Sequence, residues 1–170
     1  MKKTWRIMVL LAFIVFSLTA CIPFGRTYDS DTEEDVFRTI VQSINQEDKE
    51  ILQSLFSKKA LDDTENMEEC IACLFRYIDN KPIKIQGTPA SQISTDYENG
   101  EKIEKIQSTQ EVITETGVKY KLHIVMYSED TKNPDNVGIY ILRVIEGANP
   151  SNGFKDTNPD NPGIFVPAQE

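Results

Sequence analysis

The apolar residues of this chain change their period at Pro82. Before it, Val36, Phe37, Ile40, Val41 and Ile44 recur at the three- and four-residue steps that place side chains on one face of a helix. Ile51, Leu52, Leu55 and Phe56 do the same, and so do Met67, Ile71, Leu74, Phe75 and Ile78. After it the apolar residues alternate: Ile83 and Ile85, then Tyr120, Leu122, Ile124 and Met126, then Tyr140, Leu142 and Val144. Pro82 supplies no N–H and pushes the preceding residue out of the α region, so no helix continues through it. Helices first and strands afterwards is an α+β order, and a chain of this length makes one domain around one core.

Local signals place the element ends. Ser30 followed by Glu33 is a capping-box spacing that opens a first helix running to about Gln46. A second, shorter helix carries Ile51 to Phe56, Ser57 to Asp62 reads as a connector, and Asp63 or Thr64 caps a third helix ending near Ile78. A short strand at 83–85 closes at Gly87 and Pro89, with a second weak strand at 91–97. Asn99-Gly100 is the signature of a type I′ hairpin turn leading into a polar strand over 101–115. Two strong strands follow at 118–127 and 137–145; the latter is apolar on both faces, so it belongs in the middle of a sheet or under cover on both sides. From Gly147 the chain is rich in Asn, Pro, Gly and Asp, and Gly163-Ile164-Phe165-Val166 is an apolar island suited to docking on the sheet.

The N-terminus carries a different signal. Lys2, Lys3 and Arg6 precede an uncharged run from Ile7 to Leu18. As a helix this run reaches only ~18 Å, against the ~30 Å hydrocarbon core that a spanning segment must cross. Basic residues, a short apolar stretch and small residues form an export signal. Its end, Leu18-Thr19-Ala20-Cys21, resembles a bacterial lipobox at every position. The resemblance implies diacylglycerol on the Cys21 thiol and cleavage before it. Two acyl chains give stable anchoring at ~0.8 kcal/mol per buried CH₂. The chain then divides into a signal peptide (1–20), a tether (21–30), an α+β domain (31–146) and a C-terminal tail (147–170). It would sit on the extracytoplasmic face of the cell membrane. Loss of residues 1–20 removes three basic residues and leaves 15 basic against 27 acidic, a formal charge of −12. Such a surface excludes nucleic acid as a partner.

Few residues suggest chemistry. Cys70-Ile71-Ala72-Cys73 is a C-x-x-C inside a helix after acidic residues, unlike a redox motif at a helix start; it reads as small core residues or as a local disulfide. His123, the sole histidine, lies on the strand face opposite Tyr120, Leu122, Ile124 and Met126, so it points away from the core. Asp156, Asn158 and Asp160 match the first EF-hand ligand positions, but Asn161 and Pro167 stand where the turn Gly and the bidentate Glu belong. No catalytic residue, cofactor or metal ion is expected.

Four segments stand out together: Val36-Phe37-Arg38-Thr39-Ile40, Leu52-Gln53-Ser54-Leu55-Phe56-Ser57, Tyr120-Lys121-Leu122-His123-Ile124 and Gly138-Ile139-Tyr140-Ile141-Leu142-Arg143-Val144. With them the pattern resembles the nuclear-transport-factor-2-like (cystatin-like) superfamily, and within it small Gram-positive lipoproteins of uncharacterised function. The resemblance implies a strongly bent antiparallel sheet wrapped on the helices into a cone. Tyr77, Tyr120, Leu122 and Tyr140 are candidates for lining its pocket. Asn80-Lys81-Pro82 departs from the Gly that commonly precedes the first strand of such domains. Superfamily members include ketosteroid isomerase, scytalone dehydratase and immunity proteins. The expectation here is a non-catalytic module that binds an unknown small molecule or protein. An immunity-type protein facing a basic toxin, or an isomerase- or dehydratase-like enzyme, is the alternative. A homodimer through Ile139, Ile141 and Ile145 stays open.

Overall fold

The computed structural model describes residues 33–79, 81–147 and 161–167. The expected signal peptide with Leu18, Thr19 and Ala20, the expected tether with Cys21, and the Asp156–Asp160 cluster lie outside them. Four helices lead: α1 (Glu33–Gln46), α2 (Lys49–Ser54), α3 (Lys58–Asp63) and α4 (Met67–Tyr77). Five strands follow: β1 (Ile83–Glu98), β2 (Glu101–Thr114), β3 (Lys119–Asp130), β4 (Gly138–Glu146) and β5 (Gly163–Phe165).

The stripe on α1 is the main helical contribution to the core. Val36, Phe37, Ile40, Val41 and Ile44 are all buried, each contributing about 1.5–3 kcal/mol of transfer free energy. Met67, Ile71, Leu74 and Phe75 of α4 join the same cluster. On the sheet side it meets Ile106, Val112, Tyr120, Leu122, Ile124, Met126, Leu142 and Val144. These are the alternating residues that the strand period selects. Asn45 ties the layers together: its Nδ2 donates to the Ile83 carbonyl at 2.9 Å and its Oδ1 accepts from Ile83 N–H at 2.8 Å.

The segment from Ser57 to Asp62 is not a connector. Ser57 caps α3, its side chain accepting from Ala60 N–H at 3.1 Å, a local signal outside the apolar periodicity. The helix after it starts at Met67, behind Asn66 in the left-handed region, rather than at Asp63 or Thr64.

The two short strands expected at 83–85 and 91–97 are one 16-residue strand whose register shifts between Gln86 and Ala90. Gly87, at φ +73°, and Pro89 sit in the irregularity instead of ending the strand. Buried Gln110 of β2 fills it, donating through Nε2 to the Gln86 carbonyl at 2.9 Å.

The strand order is β1-β2-β3-β4-β5; β1 to β4 pair antiparallel and β5 runs parallel to β4. The apolar island therefore docks, and the tail contributes a strand to the domain. The expected cone does not form. The sheet is mixed, open and not strongly curled. Helices cover one part of one face, and nothing closes β1 onto β5 among the described residues. No helix among the described residues is long and apolar enough to cross a membrane.

Candidate functional site

The four residues expected to line one pocket do not come together. Tyr77 of α4 meets Tyr120 edge-on, with centroids 5.9 Å apart. Burial, followed by the charges of Glu146 and Asp79, pushes the Tyr120 hydroxyl up to about 12. Leu122 is wholly inside the core. Tyr140 packs edge-on against Tyr127 at 6.0 Å. Since Tyr120 pairs with Glu146 and Met126 with Ile139, Tyr140 lies near the other end of the β3–β4 ladder, roughly 20 Å away at ~3.4 Å per residue. The separation follows from a sheet that stays open: only strong curling brings both strand ends around one mouth.

His123 lies on the face away from the helices, as its strand phase requires. It is half-buried, and its Nδ1 is 2.9 Å from Thr109 Oγ1. Burial, and then the neighbouring Arg143 guanidinium, lower its pKa below the usual histidine range. Cys70 and Cys73 are free thiols, not a disulfide. Three residues apart on α4, their Cβ atoms are held about 5–6 Å apart, beyond the ~3.8 Å that a disulfide needs. Arg76 Nη2 reaches Cys73 Sγ at 3.0 Å and Glu69 Oε1 at 2.8 Å. Burial is the first cause that raises the Cys70 thiol. Ile139, Ile141 and Ile145 are buried, so they offer no exposed patch for a partner.

Two open grooves are lined by charged residues. One, of about 540 Å³, lies between α3 and the 133–136 turn. Its charged lining residues are engaged in ion pairs: Lys59 with Asp63 at 2.7 Å, Asp62 and Asp135 with neighbouring Lys58 at 2.9 and 3.0 Å, and Lys132 with Glu101 at 3.8 Å. Behind it, buried Asp130 organises the turn, accepting from Lys132 N–H, Asn133 N–H and Asn136 Nδ2. The other groove, about 420 Å³, sits at the β1–β2 hairpin tip and includes Tyr97, Asp96, Ile103 and Lys132.

The hairpin tip also carries exposed apolar side chains. Ile93 is 58% exposed and Tyr97 is 74% exposed. Ile93 stands opposite Ile106, a core residue, so its side chain is on the helix-bearing face. The helix layer stops short of it. Glu33 at the start of α1 accepts from Ser91 Oγ at 2.8 Å, and Asn45 at its end holds Ile83. Thus these two contacts of α1 with β1 fall at residues 83 and 91; between them Ile83 is buried while Ile85 is already partly exposed, and the strand continues past them to Glu98. Sequence reading split β1 at Pro89 and so missed this projection. The alternation Ile93, Thr95, Tyr97 was the available signal.

A helix-first α+β domain with an open five-stranded sheet and a projecting edge hairpin is thus the class that the geometry defines. The chain belongs to the DUF5104 family, a domain of unknown function, whose model matches residues 39–147. That match runs from within α1 to the end of β4. No curated protein matches the chain.

Proposed function

We propose that this chain is a bacterial lipoprotein, held by diacylglycerol on Cys21 at the extracytoplasmic face of the cell membrane. Its domain is a non-catalytic binding module that takes a protein partner. In this reading it stands near the uncharacterised Gram-positive lipoproteins of the nuclear-transport-factor-2-like group by its helix-first order, and departs from them in its open sheet.

The observation that carries the binding reading is the long edge of β1, unpaired among the described residues, with Ile93 and Tyr97 exposed on it. Exposed apolar side chains on an unpaired edge are a liability that soluble domains ordinarily suppress, unless a partner covers them. The anchoring rests on Leu18-Thr19-Ala20-Cys21 after a short apolar run.

The test is Cys21→Ser in a bacterial host fed labelled palmitate. The natural chain should be labelled and membrane-bound; the variant should be unlabelled and appear in the medium. A variant that stays in the membrane fraction, or a natural chain without label, overturns the anchoring.

A further inference from the structure

We infer that the free edge of β1 pairs antiparallel with β1 of a second copy, about a two-fold axis at Thr95. The backbone phase comes first. Asn99 and Gly100, both at positive φ, make a two-residue turn between paired Glu98 and Glu101. In such a hairpin the flanking pair exchanges hydrogen bonds, and bonded pairs then alternate along the strand. Register is unbroken from Glu98↔Glu101 to Ala90↔Thr109. Residues 90, 92, 94, 96 and 98 therefore spend their N–H and C=O groups on β2. Ser91, Ile93, Thr95 and Tyr97 point theirs outward, along an edge with no neighbouring strand among the described residues. The residues with free backbone groups are also those that carry the exposed apolar side chains.

The sequence Gln92-Ile93-Ser94-Thr95-Asp96-Tyr97-Glu98 is complementary to itself about Thr95. In that register Ile93 faces the partner's Tyr97, the aromatic–β-branched pair that sheets favour, and Thr95 faces its own copy. Asp96 faces Ser94, and Glu98 faces Gln92, so each carboxylate meets a hydrogen-bond donor and no like charges oppose. Neighbouring registers are worse. Moved to Asp96, the axis sets two Asp96 carboxylates opposite each other. Centred on Ser94, it pairs Ile93 with Thr95 and Tyr97 with Ser91. An Ile93 axis leaves Tyr97 against Pro89, in the irregular part of the strand that has no N–H to give. A peptide from another protein would have no reason to match this palindrome of polarity; a second copy matches it by construction of the sequence.

The axis is normal to the sheet, so both helix layers lie on the same side. Each Glu33, bonded to Ser91, then starts its helix beside the dyad and on that common side. Residues 22–32 precede it, a stretch that extends at most about 3.5 Å per residue. Two copies so arranged present both tethers to one bilayer. This last point rests on the proposed anchoring; the pairing does not.

Register-specific cross-linking of the full chain tests the pairing, in whichever cell fraction carries the protein. On a background with Cys70→Ser and Cys73→Ser, single substitutions Thr95→Cys, Ile93→Cys and Tyr97→Cys are oxidised with copper–phenanthroline. The unsubstituted background serves as control. Thr95→Cys should give at least about five-fold more disulfide dimer than either single neighbour, because paired Cα atoms fall within the ~4.4–6.8 Å that a disulfide spans. Ile93→Cys co-expressed with Tyr97→Cys should restore the cross-link. Thr95→Pro removes the outward N–H, together with the exposed 3.5 Å hydrogen bond from Thr95 Oγ1 to Glu104, and should halve the mass measured by sedimentation; Thr95→Val, which loses the hydroxyl but keeps the N–H, should stay dimeric. Equal dimer at all three positions, more at Ile93 than at Thr95, none at Thr95 in a chain with natural circular dichroism, or a natural chain that sediments as a monomer would each overturn the proposal. Failure of Cys21→Ser to leave the membrane would remove the anchor and leave this result standing.

Discussion

Gly138 and Ser57 touch backbone to backbone. A Cβ on Gly138 would lie 2.8 Å from the Ser57 nitrogen and 3.2 Å from the Leu55 carbonyl oxygen. The closeness is imposed by two hydrogen bonds at 2.9 Å, Ser57 N–H to the Ile139 carbonyl and Ile139 N–H to the Leu55 carbonyl. They join the end of the α2 segment to β4 as a one-residue parallel bridge. Gly138 also sits at φ +123°, where a side chain is strained regardless of space. Gly138→Ala should therefore cost about 3 kcal/mol, combining backbone strain with overpacking. Urea unfolding followed by circular dichroism measures it; a loss below about 0.5 kcal/mol, the range of neutral surface changes, would mean the bridge is not held in solution.

What the sequence displayed and what it hid divide along that bridge. The stripes on α1 and α4 and the alternation of β3 and β4 are local periods, and each element forms where its period runs. Ile164 and its neighbours were legible as an island that docks, though its parallel pairing with β4 was not. The hidden features depend on distant partners. Gln110 makes one strand out of two by bonding carbonyls more than twenty positions away. Sheet curvature is a collective property of strand pairing, and no single residue of β3 or β4 reports it. So the cone, and with it the tyrosine pocket, was the part of the reading that failed to appear. The edge hairpin was legible residue by residue, from Ile93 to Tyr97, but its exposure depends on where α1 begins relative to Ser91.

Asn45 should be as important as a core residue. Its amide satisfies both backbone groups of Ile83 at the first position of β1. Asn45→Ala leaves that N–H and C=O to find other partners in a part-buried place and should cost about 2 kcal/mol. Gln42→Ala, one turn earlier on the exposed face of α1, should stay within about 0.5 kcal/mol. Equal costs at the two positions would contradict the clip.

Reductant should leave the domain's stability untouched. Cys70 and Cys73 are thiols on one helix, too far apart in that geometry to bond without unwinding it. Melting curves with and without dithiothreitol should coincide, and Cys70→Ser with Cys73→Ser should melt alike in both buffers. A lower melting temperature on reduction would show that the two form a bond in the folded protein.

His123 sets an acid limit on stability. Its folded pKa is depressed, chiefly by burial and then by Arg143. Thr109 Oγ1 beside Nδ1 is a hydrogen-bond partner for the neutral ring. On the same face Lys121 pairs with Glu111, leaving that carboxylate engaged elsewhere at 3.9 Å. Below the unfolded-state value of about 6.5, the unfolded chain binds a proton that the folded chain still refuses, so stability falls with pH. The loss begins near that value and is complete once the pH drops through the lower folded pKa. Carboxylates with lowered pKa, such as Glu104, add a decline at more acidic pH. The histidine part is isolated by comparison. Between pH 7.5 and 5.5 the natural domain should lose stability, and His123→Gln should show a flatter dependence whatever its absolute stability. Parallel slopes for the two proteins would mean that the imidazole titrates as it does in water, and that the β3–β4 surface around Arg143 is open to solvent.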